Sequence, residues 1–76
     1  MGQHLPVISS DDAIRAFLRA GYVVLPKRGK GSHTVLRHSQ TGRILTIPGH
    51  DPVRRGTLRA IIRQAGMSVD EFRNFL

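Results

Sequence analysis

The chain reads as an α+β domain: a three-stranded antiparallel sheet packed against two helices, in the order α-β-β-β-α with a short C-terminal helix. Three observations predict this architecture. Apolar residues recur at helical spacing near each end of the chain, in Ala13, Ile14, Phe17 and Leu18 and again in Leu58, Ile61, Ile62 and Ala65. Between them lie three short β-branched or alternating segments parted by Gly, Pro and Ser. Leu, Ile, Val and Phe make up 22 of 76 residues, enough to build one core and too short a chain for two domains.

Residues 1–8 read as a loose N-terminal leader, and the domain spans residues 9–76. Ser9, Ser10, Asp11 and Asp12 supply a cap oxygen and first-turn acids for the first helix, which Gly21 stops. Tyr22, Val23, Val24 and Leu25 suit a half-buried strand, and Pro26 prevents its continuation. Lys27-Arg28-Gly29-Lys30-Gly31 is a cationic turn leading to a second strand over residues 32–37. Ser39-Gln40-Thr41-Gly42 turns the chain into a third strand over residues 43–47, closed by Pro48-Gly49, which makes the sheet a meander. Gly66 ends the second helix. Ser68 and Glu71 fit a capping box for a third helix over residues 69–75, whose Phe72, Phe75 and Leu76 are expected to dock on the core. Covering one apolar sheet face with helices solves the burial problem in two layers.

Composition narrows the partners. A domain this small buries only about 60% of the surface its unfolded chain exposes, so it is marginal without a disulfide, metal or partner. Cysteine is absent, which suits a cytoplasmic chain better than a secreted mini-protein. The longest stretch without a charged residue, residues 1–10, is far too short to span a bilayer and lacks the pattern of a signal peptide, so no membrane association or export is expected. Twelve Lys and Arg against five Asp and Glu give a net charge of +7, which calls for a polyanion. Arg outnumbers Lys ten to two, and the guanidinium fork matches phosphate oxygens, so nucleic acid outranks lipid.

Two constellations can carry function. In Lys30-Gly31-Ser32-His33 a flexible cationic turn delivers a histidine to the start of a strand. Its backbone N–H groups can form an anion-binding concavity, although the spacing is not that of a P-loop. An ordinary solvated hairpin loop is the alternative. Arg55, Arg59 and Arg63 recur at every fourth residue and are expected on one helical face opposite Leu58, Ile61 and Ile62. Such a stripe suits phosphate contacts; a solvated helix surface, or one facing a protein, is the other reading. The four histidines lack the spacing of a metal site, so neither metal nor cofactor is expected. His4 and His38 read as surface polar residues, while His50, after Pro48-Gly49, is placed where a short loop brings it near the second helix.

Gly21-Tyr22, Lys30-Gly31-Ser32-His33, Pro48-Gly49-His50, Gly56-Thr57-Leu58 and Gln64-Ala65-Gly66, in that order, resemble the HicA family of toxin ribonucleases over residues 10–75. The resemblance implies a fold like that of double-stranded-RNA-binding domains, cleavage of messenger RNA, and inhibition by a HicB antitoxin protein. It also implies His33 as the catalytic residue. Thr34 stands where many members carry a second histidine. Metal-free RNA cleavage uses the neighbouring 2′-hydroxyl as nucleophile, and an imidazole, with an ordinary pKa near about 6.5, is suited to moving its proton. On this reading Lys30, Gly31 and Ser32 support the charged phosphate, Lys27, Arg28, Arg55, Arg59 and Arg63 bind RNA, and His50 is a secondary candidate. A non-catalytic module for double-stranded RNA or DNA is the competing expectation, because the same element order and basic helix suit shape recognition. His33 separates the two: a pure binder gains little from an imidazole that is mostly neutral at pH 7.

Overall fold

The computed structural model describes residues 5–26, 33–49 and 51–76, and its elements follow the predicted order α-β-β-β-α-α. Helix α1, Ser10–Arg19, begins where its cap chemistry requires: the Ser9 hydroxyl accepts the Asp12 N–H at 3.0 Å. Asp51 strengthens the same end from 41 residues away, its carboxylate accepting the Ser10 N–H at 2.6 Å. Ala13, Ala16 and Phe17 turn inward, whereas Leu18, expected with them, stays 40% exposed. Ala16 fills the inward position one turn after Asp12 and Ala13, so the buried face is narrower than the apolar pattern suggested.

The sheet orders its strands β1-β2-β3, with β1 at Tyr22–Val24, β2 at Thr34–His38 and β3 at Ile44–Ile47, all antiparallel. Pairing of Val24 with Leu36 and of Leu36 with Leu45 sets one face toward the helices. The next row, Val23, Arg37 and Ile44, therefore points the other way. Leu36, Leu45 and Ile47 are buried under α1 and α2, which makes the two-layer packing expected from the sequence. Phe17 centres the core, edge-on to Tyr22 (centroids 5.6 Å apart) and tilted against Phe72 (5.1 Å). Pairs of this geometry add roughly 0.5–1.5 kcal/mol to the burial of each ring.

Helix α2, Arg55–Gln64, places Leu58, Ile61 and Ile62 on the sheet. Helix α3, Val69–Arg73, starts with the predicted capping box, Ser68 accepting from Glu71 N–H while the Glu71 carboxylate accepts from Ser68 N–H. Phe72 is fully buried and Phe75 partly so, but Leu76 remains 45% exposed and does not dock. Between α2 and α3, Gly66 has φ +76°, and a Cβ there would stand 2.9 Å from the Arg43 guanidinium. Arg43 donates to the Gln64 carbonyl at 2.9 Å and so caps the negative end of α2.

Two expectations are corrected. Residues 5–8, read as part of a loose leader, are built into the fold: Leu5 is buried in the core and Ile8 accepts the Val53 N–H at 2.9 Å. Leu5, Val7 and Ile8 around Pro6 make too short an apolar run to show a helical or strand period that would place Leu5. His38, read as a surface residue, is half-buried. Its ring stands edge-on to Tyr22 (4.9 Å), and its Nδ1 accepts the N–H groups of Gln40 and Thr41 at 3.1 and 3.2 Å, bracing the β2–β3 turn.

Candidate functional site

His33 is the residue immediately before β2, and it is exposed. The strand phase that turns Leu36 inward carries Val35 and Arg37, and in the same phase His33, toward the open face of the sheet. Thr34 pairs with Ile47, so the start of β2 lies beside the end of β3. From Ile47 the chain passes through Val53 and Arg54 into α2. His33 and the N-terminus of α2 thus belong to one end of the molecule, although 21 residues separate His33 from Arg54 in sequence. Lys27, Arg28, Lys30, Gly31, Ser32 and His50, assigned to the site from the sequence, lie outside the described residues, as does His4.

Arg55, Arg59 and Arg63 are all exposed on α2, as predicted, but they do not form a straight row opposite the apolar face. A step of four residues overshoots a 3.6-residue turn by about 40°, so the row winds around the helix. At its start it flanks the buried side, and there Arg55 Nε donates to the Leu5 carbonyl at 2.9 Å. Farther along, Arg59 and Arg63 line a recess of about 180 Å³ with Ile62, Met67, Ser68 and Val69.

The engagement of each guanidinium decides which are available to a ligand. Arg15 pairs with Asp12 at 3.1 Å and Arg73 with Asp70 at 4.0 Å. Arg19 donates to the Phe75 carbonyl at 2.6 Å, Arg43 to Gln64 and Arg55 to Leu5. Among the described residues, Arg37, Arg54, Arg59 and Arg63 have neither an ion pair nor a hydrogen bond from the side chain. Sequence reasoning missed two of these. Arg54, the residue preceding α2, adjoins Arg55 and extends the basic row toward the His33 end, a signal visible in the Arg54-Arg55 pair itself. Arg37 is one strand residue among others until the register places it on the open face.

The N-terminus of α2 adds to this positive surface. Helices α1 and α3 each begin with a serine cap and two acids in the first turn. By contrast, α2 has Arg54 at its N-cap position, makes no side-chain cap hydrogen bond, and carries no acid in its first turn. Its positive end is left unneutralised by its own sequence. Among the described residues no three His, Asp or Glu side chains group as a metal site, and no helix is long and apolar enough to cross a membrane.

The arrangement is an exposed imidazole at the end of a sheet, at the same end of the molecule as the start of a helix whose Arg59 and Arg63 have no partners among the described residues. No curated protein matches the chain. The model of the family described as HicA toxin of bacterial toxin-antitoxin matches residues 10–67, a span running from the first turn of α1 to the loop before α3 and taking in His33, the whole sheet and all of α2. The order α-β-β-β-α is also that of double-stranded-RNA-binding domains, and the chain belongs to the HicA toxin family of bacterial toxin-antitoxin systems.

Proposed function

We propose that the chain is an endoribonuclease that cleaves messenger RNA through His33 without a metal, and that a HicB-type antitoxin holds it inactive. The observation that carries this reading is the exposed His33 at the end of the sheet from which the cationic helix α2 departs. Membership of a toxin family supports it. In the reaction the 2′-oxygen attacks the adjacent phosphorus and the bond to the 5′-oxygen breaks. A proton leaves the 2′-hydroxyl and one reaches the departing oxygen, leaving a 2′,3′-cyclic phosphate and a 5′-hydroxyl. His33 takes the first proton and, as imidazolium, supplies the second. Lys30 and the backbone N–H groups of Gly31 and Ser32 stabilise the charge on the phosphorus oxygens, and Lys27, Arg28, Arg54, Arg59 and Arg63 hold flanking phosphates, while Arg55 is held by the Leu5 carbonyl.

The test is incubation of end-labelled RNA with the intact chain and with His33→Ala, each in EDTA. The intact chain is expected to cut and leave cyclic-phosphate ends. His33→Ala is expected to stay folded, bind RNA and leave it whole; because His33 is exposed, its removal opens no core cavity. A folded His33→Ala that still cuts removes His33 from the mechanism. Activity lost in EDTA and restored by zinc or magnesium contradicts the metal-free reaction. An intact chain that binds RNA and never cuts it is a double-stranded-RNA-binding module instead.

A further inference from the structure

The open face of the sheet differs in chemistry from α2. Register places Val23, Arg37 and Ile44 side by side across all three strands, one guanidinium between two aliphatic side chains. Val23 is 47% exposed and Ile44 51%, both on the face opposite Leu36 and Leu45. With Arg37 between them they form one continuous patch rather than scattered exposure. Arg37 has no acid or carbonyl partner among the described residues, and its guanidinium reaches back over Gly42. A phosphate backbone does not match this row: it offers one cation where RNA needs a track of them, and aliphatic groups where RNA presents anions. Base stacking does not match it either, because Tyr22, Phe17 and Phe72 are buried in the core and Phe75 packs against it.

We propose that this face is the seat of the antitoxin, whose contact surface carries apolar side chains against Val23 and Ile44 and a carboxylate against Arg37. The proposal rests on the pairing of toxin with antitoxin in this family. Charge complementarity favours it: the chain carries +7, and Arg37, without a partner among the described residues, stands between two aliphatic groups that exclude water once covered. The consequence for regulation is geometric. His33 shares the strand phase of Val35 and Arg37, so a protein seated on this face closes over the imidazole while Arg59 and Arg63, on the helix layer, stay outside the contact. RNA and antitoxin then compete at His33 and not for the α2 row.

The test compares Arg37→Glu and the double variant Val23→Thr, Ile44→Thr with the parent chain. Threonine is β-branched and keeps the strand preference, and far-UV circular dichroism confirms each fold. The antitoxin encoded with this chain and a labelled RNA are the two probes, RNA binding being read in the His33→Ala background. The antitoxin affinity of each variant is expected to fall roughly tenfold or more. RNA affinity is expected to change far less, and Arg59→Ala with Arg63→Ala to show the reverse pattern. Unchanged antitoxin affinity in both variants overturns the proposal. So does loss of RNA binding with the antitoxin retained, which makes the face an RNA surface. If the parent chain itself does not bind the antitoxin, the pairing fails, and that outcome is distinct from a parent that binds and variants that bind equally.

Discussion

Tyr22, the single tyrosine of the chain, has its ring in the core and its hydroxyl buried without a hydrogen-bond partner among the described residues. A buried hydroxyl left unpaired costs about 1–3 kcal/mol. Tyr22→Phe is therefore expected to leave the urea midpoint unchanged or raise it, by about 1 kcal/mol of stability. Burial also raises the phenol pKa above its ordinary 10.0, with Arg43 opposing the rise in part. The fold thus holds the proton more tightly than the unfolded chain does. This contribution is fully present below pH 10 and disappears as the pH climbs through the raised value. Tyrosinate absorbance should rise with a midpoint above 10 and in step with loss of structure, and Tyr22→Phe should unfold at higher pH. A midpoint at or below 10 in the folded chain contradicts the burial argument. Residue-scale detail of this kind was the least legible part of the sequence. Gly21 was correctly read as a helix stop, but its φ of +106° is joined by a second constraint: a Cβ there would stand 2.9 Å from His38 Nε2. Only the register that brings Gly21 beside His38 reveals it.

At the scale of elements the sequence was most informative where side chains bond their own backbone. Ser9 with Asp12, and Ser68 with Glu71, mark helix starts within one residue because capping is local chemistry. Strand ends were less sharp: β1 stops at Val24, although Leu25 still donates to the Val35 carbonyl, and β2 continues to His38, because pairing across the sheet decides where a strand ends. The basic row of α2 was legible in composition and only partly in geometry, since helical drift gives its members different tasks. Arg59 and Arg63 are exposed, with guanidiniums that have no partner among the described residues, whereas Arg55 ties the N-terminal segment down through Leu5. Salt titration of RNA binding in the His33→Ala background separates them. Arg59→Ala and Arg63→Ala should each flatten the slope of log affinity against log salt by about 0.7–0.9, the counterion release of one phosphate contact. Arg55→Ala should flatten it less and lose about 1 kcal/mol of stability with the hydrogen bond to Leu5. Equal slopes for all three, with no loss of stability in Arg55→Ala, return α2 to a uniform stripe.

At the scale of the whole molecule, aliphatic side chains left at the surface of the sheet withhold apolar area from the core. Val23, Val24 and Ile44 stand half-exposed in a chain with no disulfide to offset the loss. The structure recovers part of it with Leu5, which reaches the core from a segment that the sequence did not assign to the fold. A partner that binds only the folded chain supplies the rest by mass action, about 2.7 kcal/mol at a hundred times its dissociation constant. The central strand reports this directly. Amides of β2 around Leu36, hydrogen-bonded on both sides within the sheet, exchange with solvent chiefly through global unfolding. Saturating antitoxin should therefore slow their exchange about a hundredfold under those conditions, although they lie beneath the contact rather than in it. Exchange in β2 that stays unchanged while the antitoxin is fully bound means that the partner also grips the unfolded chain. In that case the small core is self-sufficient, and the exposed aliphatic face serves recognition alone.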